Sequence, residues 1–361
     1  MDDNFDIKET SAATIEASNT VVQAMFVPGS VVLAHGSMII MAVLPVLIGS
    51  FRSVSFHQNQ KISGEEPETI SMSGAALAPF ILSGVLYTLH SLVKLQSSEQ
   101  NDLSTIFSFI LAFQAISYIF KPFVSQLVTF LFPSLNHSLS KKGEEEKKKG
   151  GLLNFKIDVA HVLNVILSGV IALLSQDVKH WILDNMVGMT LCAWMIEMFS
   201  LNKVKIGFTL LTGLLFYDIF WVFCTDIMKN MALSLNAPIK LVFPVDILEN
   251  GLNASRFAFI GLGDIVLPGI FIALLLRFGL SLKCPRRVYF YYGMVGYVFA
   301  LVVTFLISHI FKHVQPALLY LVPICLALPT LAAFMKGDLA TMFQYEDYTF
   351  EEINAGSEKK K

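Results

Sequence analysis

Long apolar stretches separated by short polar connections dominate this chain. A helix needs about 20 apolar residues to cross about 30 Å of hydrocarbon, and it satisfies its own backbone there without water. We therefore predict an all-α multi-pass membrane protein with nine transmembrane helices. The predicted helices cover residues 28–50, 74–94, 104–120, 156–175, 181–200, 206–228, 256–277, 288–311 and 315–335. The third is short, and residues 123–132 after Pro122 are an alternative segment lying along the interface.

Composition supports a membrane protein. Hydrophobic residues make up 54% of the chain and charged residues 15%, whereas soluble proteins carry about 25% charged residues. The formal net charge of −2 gives no basic surface of the kind that binds nucleic acid. The first apolar segment follows an acidic start and lacks a basic n-region, so we expect it to be kept as a transmembrane helix rather than removed as a signal peptide.

Basic residues predict the orientation. Positive charges in short loops resist translocation and mark the cytosolic side. If nine helices alternate, one side of the membrane holds the basic groups at 141–149, 203–205, 283–287 and 359–361. The N-terminus is then lumenal and the C-terminus cytosolic.

Two aspartates lie deep in apolar segments, where each costs about 2.5–3.5 kcal/mol. Asp218 is in GLLFYDIFWVF, twelve residues into segment 206–228, and Asp264 is in FIGLGDIVLPG, eight residues into segment 256–277. Because consecutive helices run antiparallel, the two carboxyl groups can meet at one depth. Such a pair shares a proton, as aspartyl proteases require, with one member acting as base and the other as acid. Which aspartate holds the proton stays open.

Glycine and proline flank Asp264. Gly261 and Gly263 have no side chain, so we expect the backbone there to approach a neighbouring helix closely. Pro268 leaves the carbonyl of Asp264 without its helical donor. These residues predict that the helical turn around Asp264 is easily deformed.

Pro316, Ala317 and Leu318 open the last apolar segment, in HVQPALLYLVP. A substrate helix must unwind before cleavage, because its amides are hydrogen-bonded internally. A proline-opened loop beside the aspartates could bind the unwound strand through its backbone. The segment IKLVFP at 239–244 is rich in β-favouring residues and is a candidate for the other edge.

Other polar residues have two interpretations each. Tyr217 either positions a carboxylate or packs with the aromatic residues at 216–223. Glu197 near a helix end is expected to reach the interface, and Lys240 and Arg256 either steer a peptide end or anchor a loop. We predict neither metal nor organic cofactor, since the histidines lack ligand spacing such as H-E-x-x-H.

Polar segments divide the chain. The predicted regions are a lumenal tail at 1–27, helices one to three at 28–140, a polar cytosolic loop at 141–155, helices four and five at 156–200, a catalytic region with helices six to nine at 201–335, and a cytosolic tail at 336–361.

The motifs YD, GLGD and QPALLYLVP together resemble the signal peptide peptidase family, relatives of the presenilins. The resemblance extends over about residues 179–345. It implies that Asp218 and Asp264 are the catalytic aspartates. It also implies that Gly261 and Gly263 complete the GxGD signature and that residues 316–318 form the active-site PAL motif.

The resemblance further implies a nine-helix fold with a lumenal N-terminus and residence in the endoplasmic reticulum membrane. The implied substrates are type II transmembrane segments, notably leftover signal peptides. The family often ends with a dilysine pattern, whereas Glu358 and Lys359 occupy those two positions here. Homo-oligomers and factors of ER-associated degradation stay open as partners, as do the natural substrates.

Two other functions compete with proteolysis. A proton- or cation-coupled transporter would also bury carboxylates and break helices, but its inverted repeat is not visible in the sequence. A non-catalytic adaptor that binds signal sequences would tolerate loss of either aspartate.

Overall fold

A computed structural model of the chain is mostly helical. It describes residues 28–63, 69–95, 102–131, 159–177, 180–225, 239–251, 256–282, 287–311 and 315–347. Within these ranges the elements are α1 Pro28–Ser63, β1 Thr69–Ile70, α2 Met72–Leu95, α3 Asp102–Leu131, α4 Val159–Asp177, α5 Trp181–Met198, β2 Ser200–Leu201, α6 Val204–Phe223, β3 Lys240–Pro244, α7 Ile247–Asn250, β4 Phe257–Gly261, α8 Gly263–Ser281, α9 Val288–Phe311, α10 Leu318–Lys336 and α11 Leu339–Gln344.

Several helices are suited to a membrane. Six in the described ranges are long and apolar enough to cross one: Gly29–Lys61, Thr105–Phe130, Val204–Phe223, Gly263–Ser281, Val288–Phe311 and Leu318–Lys336. Shorter apolar stretches lie in α2 and α4. The chain is therefore a multi-pass membrane protein, while the count of nine spans stays a prediction. The predicted tail at 1–27 and the polar loop at 141–155 lie outside the described residues.

The third helix is longer than its apolar pattern predicts. It runs from Asp102 to Leu131 and contains Pro122 in its interior. Residues 123–131 therefore continue the helix and are not a separate interfacial segment. Proline removes one helical hydrogen bond, but membrane helices tolerate this loss because neighbouring groups satisfy the freed carbonyl.

The predicted helix 256–277 is wrong at its start. Residues Phe257–Gly261 form β4, which pairs with β3, Lys240–Pro244, in a two-stranded sheet. Backbone hydrogen bonds from Leu262 N to Ile239 O, 3.1 Å, and from Val245 N to Arg256 O, 2.9 Å, fit an antiparallel pair. The segment at 239–244 is a strand, as its β-favouring residues indicate, but its described partner is this chain's own β4.

Contacts divide the chain into two compact units. One comprises residues 1–38 and 242–259, and the other residues 39–241 and 260–361. In the first unit, the carboxylate of Asp246 accepts a hydrogen bond from the backbone N–H of Arg256 at 3.4 Å. The second unit contains both aspartates and the residues at 316–318 singled out by the sequence.

Helix α8 is the core of the second unit. Of its apolar window, 78% is buried, against 22% to 39% in the other five candidate spans. It packs against α5, α6, α9 and α10. The fit is close: a Cβ on Gly269 would lie 2.5 Å from Ile196 Cδ1, and one on Gly207 would lie 2.7 Å from Phe271 Cδ2. Asp264 therefore sits in the first turn of the most enclosed helix.

Candidate active site

Asp218 lies on the buried face of α6. Leu211, Leu214, Asp218 and Trp221 recur at helical spacing and all are buried, as expected for one face of a helix. Only 6% of Asp218 is exposed. The indole N–H of Trp221, one turn later, donates to Ser83 Oγ at 3.0 Å, which fixes this face of α6 against α2.

The carboxylate of Asp218 accepts a hydrogen bond from the start of α10. The backbone N–H of Leu318 donates to Asp218 Oδ2 at 3.0 Å, across 100 residues of sequence. Leu318 is the first residue of α10, and its N-cap, Ala317, supplies no side-chain cap. The first N–H groups of a helix have no partner inside the helix, so Asp218 caps α10. The residues at 316–318 thus lie beside this aspartate.

Asp264 is the second residue of α8 and lies in its first turn. The backbone amide of Gly261 faces its half-buried carboxylate. A Cβ on Gly261 would lie 3.4 Å from Asp264 Oδ2, whereas one on Gly263 would meet none of the described residues within 4 Å. Among the described residues, the expected close approach of a neighbouring helix is therefore found at neither glycine. The neighbour of Gly261 is Asp264 itself, and no side chain in the described ranges covers Gly263.

The two carboxyl groups are close enough to interact electrostatically. Each also lies at a helix N-terminus, Asp218 at α10 and Asp264 at α8, where the helix dipole stabilises negative charge. Within the described part of the chain, neither forms an ion pair with a basic side chain. Two like-charged carboxylates without a cation can share a single proton. The arrangement can therefore supply one base and one acid.

Tyr297 on α9 was not anticipated from the sequence. Its hydroxyl donates to the backbone carbonyl oxygen of Asp264 at 3.3 Å, the carbonyl that Pro268 deprives of a helical donor. A tyrosine in an apolar helix is a weak signal, because many such rings only pack. Its buried hydroxyl nevertheless requires a partner.

The other predicted candidates lie in varied surroundings. Tyr217 is next to Asp218 and its ring centre lies 6.3 Å from that of Trp221. In the described ranges no hydrogen bond joins its hydroxyl to a carboxylate, so its role stays a prediction. Lys240 begins β3, and partial burial lowers the pKa of its ammonium group. A steering role for Lys240 or Arg256 likewise stays a prediction.

Its position near a helix end suggested that Glu197 reaches the membrane interface. Its carboxylate is instead bound by two side chains of the protein. Its Oε2 accepts from Arg52 Nε at 2.7 Å and from the hydroxyl of Tyr118. The guanidinium of Arg52 also lies 4.4 Å from the centre of the Tyr118 ring. Glu197 is therefore a contact between α1, α3 and α5. Among the described residues, no group of three or more His, Cys, Asp or Glu could hold a metal ion.

Comparison with known proteins shows close similarity to one group. A family model described as signal peptide peptidase matches residues 62–349. The chain is 42% identical to mouse signal peptide peptidase, over 97% of this chain and 93% of the mouse protein. It is 41% identical to the human signal peptide peptidase, over 95% and 91% of the two chains. Intramembrane protease 2 of Caenorhabditis elegans is 36% identical over 74% of this chain and 64% of the worm protein.

Proposed function

This chain belongs to the signal peptide peptidase family of intramembrane proteases, and we propose that it is an aspartic endopeptidase in which Asp218 and Asp264 catalyse hydrolysis. The observation that carries this proposal is the hydrogen bond from Leu318 N to Asp218 Oδ2. It joins two motifs distant in sequence at a carboxylate that also interacts with Asp264.

The chemistry follows from two carboxyl groups that share one proton. The ionised carboxylate takes a proton from water as the water oxygen attacks the scissile carbonyl carbon. The protonated carboxyl donates its proton to the carbonyl oxygen, which gives a tetrahedral diol. When the C–N bond breaks, the carboxyl that took the water proton donates it to the leaving nitrogen. The other carboxylate takes a proton from a diol hydroxyl, so that a carboxylic acid and an amine leave and the pair again holds one proton. No covalent bond to the enzyme forms.

The backbone around the aspartates supports this cycle. The Leu318 N–H at the start of α10 and the Gly261 amide before α8 each face one carboxylate. Fixed N–H groups stabilise charge without having to reorganise during the reaction. The Leu318 amide is already bound to Asp218, so we assign residues 316–318 first to the aspartate and only then to substrate.

We further assign the substrates as type II transmembrane segments, notably signal peptide remnants, in the endoplasmic reticulum membrane. The names of the mouse and human relatives support signal peptides as substrates. The basic loops support a lumenal N-terminus and a cytosolic C-terminus. In this topology the catalytic region is residues 201–335.

Cleavage by purified protein tests the assignment. The substrate is a labelled type II signal-peptide helix in detergent, and mass spectrometry locates the cut. We expect wild type to cut within the apolar segment, and Asp264→Asn and Asp218→Asn each to lose about 10³-fold or more in rate. Asp184→Asn is the matched control, because Asp184 is an exposed aspartate in the first turn of α5 and no hydrogen bond among the described residues joins it to Asp218 or Asp264. It should cleave like wild type.

The result that contradicts the proposal is unchanged cleavage by either catalytic variant. Orientation is tested separately in vesicles, with the same helix inserted in either direction. Cleavage of the type II orientation alone supports the substrate assignment, and equal cleavage of both orientations contradicts it.

A further inference from the structure

One backbone carbonyl in the first turn of α8 lacks its helical hydrogen bond. Pro268 has no N–H and cannot donate to the carbonyl oxygen of Asp264, four residues earlier. Buried backbone carbonyls are nearly always paired, so this oxygen requires a donor from elsewhere. Any such donor acts directly on the residue that carries the Asp264 carboxylate.

Tyr297 supplies that donor. Its hydroxyl lies 3.3 Å from the carbonyl oxygen of Asp264, and the residue is 0% exposed in α9. Burying a tyrosine hydroxyl in an apolar helix costs free energy unless the hydroxyl forms a hydrogen bond. The hydroxyl thus replaces the N–H that proline removes.

Close packing of α9 against α8 and α10 fixes the position of Tyr297. A Cβ on Gly293 would lie 3.1 Å from Leu275 Cδ1 in α8, and one on Gly296 would lie 3.2 Å from Leu328 Cδ1 in α10. Helix α9 therefore packs closely against both α8, which carries Asp264, and α10, which begins at Leu318. Such close fits at small residues are typical of membrane helices.

We propose that the Tyr297 hydroxyl is a positioning group for catalysis. By donating to the carbonyl oxygen that Pro268 leaves without a helical donor, it fixes the first turn of α8 and hence the direction of the Asp264 carboxylate. The inference rests on the proposed role of Asp264. Catalysis is sensitive to such positioning, because displacement of a reacting group by about 1 Å can cost about 10²-fold in rate.

A double-mutant cycle isolates this role. The variants are Tyr297→Phe, Pro268→Ala and the two combined, and each is assayed for kcat, KM and thermal unfolding with the type II helix substrate. We expect Tyr297→Phe to lower kcat about tenfold, with KM within about twofold. Pro268→Ala restores a helical N–H to the Asp264 carbonyl. In that background we expect Tyr297→Phe to lower kcat by no more than about twofold.

Tyr289→Phe is the matched control. Tyr289 is a second tyrosine on α9 that is 0% exposed, and its hydroxyl donates to Asp338 rather than to the site. Its loss should change thermal unfolding without changing kcat. A general effect of removing a buried hydroxyl from α9 would lower kcat in both tyrosine variants.

Each outcome has one meaning. If Tyr297→Phe keeps the wild-type kcat while Asp264→Asn is inactive, the positioning role is wrong and the proposed function stands. If the loss is the same in the Pro268→Ala background as in the wild-type background, or equal in the Tyr289 control, the inference is also overturned. If Asp264→Asn is fully active, the proposed function fails instead. Should Tyr297→Phe fold poorly, the double variant decides, because restored folding and kcat there support the inference.

Discussion

The two ends of α8 place charged side chains in opposite situations. At its first turn, Asp264 faces a second carboxylate, Asp218, and the described residues provide no cation for either. Toward its last turn, Arg277 is 6% exposed and its Nε donates to Asp347 Oδ2 at 2.7 Å. One end brings like charges together and the other neutralises a charge.

At the Arg277 end, each nitrogen of the guanidinium has a hydrogen-bond partner. Arg277 Nη1 donates to Ser53 Oγ at 2.5 Å and Nη2 to the carbonyl of Leu201 at 3.5 Å. Asp347 also accepts from the Tyr345 hydroxyl at 3.0 Å, and its backbone N–H donates to Asn202 O at 2.9 Å. This network ties the segment after α11 to α1, α8 and the loop after β2.

The contrast separates a structural polar site from a functional one. A buried charged group that stabilises the fold has an oppositely charged partner and hydrogen bonds, because an unpaired buried charge costs several kcal/mol. Charge that serves chemistry is left short of partners, so that a proton can move between the two groups. Loss of charge should therefore damage stability at the Arg277 end and catalysis at the Asp264 end.

The largest change in stability is expected from Arg277→Met. It leaves Asp347 buried without its cation, which should lower the free energy of unfolding by about 3–5 kcal/mol. Denaturant unfolding in detergent measures the change. The double variant Arg277→Met with Asp347→Leu replaces both charges and should recover most of the loss. If Arg277→Met has the same free energy of unfolding as wild type, the Arg277 end does not stabilise the fold and the two ends of α8 do not differ in this way.

Tyr345→Phe should have a smaller effect with a distinct pH dependence. Losing its bond to Asp347 should cost about 1 kcal/mol near neutral pH. Burial, followed by the nearby charge of Asp347, raises the pKa of Tyr345. The unfolded chain then releases the phenolic proton near pH 10 while the folded chain keeps it, so wild-type stability falls above about pH 10.

The variant lacks that phenol and should lose less stability over the same alkaline range. Thermal unfolding of both proteins between about pH 8 and pH 11 makes the comparison. Parallel curves for the two proteins would show that Tyr345 does not carry this part of the pH dependence.

Lys203→Met should have the smallest effect. Lys203 Nζ lies 2.5 Å from Glu346 Oε1, with both side chains 42% exposed, and exposed ion pairs contribute about 0–1 kcal/mol. A loss of more than about 2 kcal/mol in the free energy of unfolding would show that the pair stabilises the fold as the buried Arg277 network does, and not as an exposed ion pair.

Much of the site was predictable because its signals are local. A carboxylate in an apolar segment is costly wherever the chain folds, so Asp218 and Asp264 stand out without any structure. Arg277 is likewise a charged residue in an apolar segment, but its pairing with Asp347 was not predicted. The bond from Leu318 to Asp218 could not be read from the sequence, since it depends on helix packing across 100 residues.

The start of α8 shows why the rest was missed. Residues 257–261 are as apolar as the helix that follows, and a short apolar run does not distinguish strand from helix. The run becomes a strand because β3 pairs with it, a partner that periodicity does not reveal. For the same reason Tyr297 was overlooked: only tertiary structure places its hydroxyl at the Asp264 carbonyl.

The most direct test measures cleavage and thermal unfolding in one preparation of Asp218→Asn with Asp264→Asn. The two amides keep the shape of the site but cannot exchange a proton as a carboxyl pair does. We predict no cleavage of the type II helix and an unfolding temperature at or above that of wild type, because the buried negative charge that the proton-sharing pair carries is removed. Cleavage at the wild-type rate would contradict the assignment of Asp218 and Asp264 as the catalytic pair.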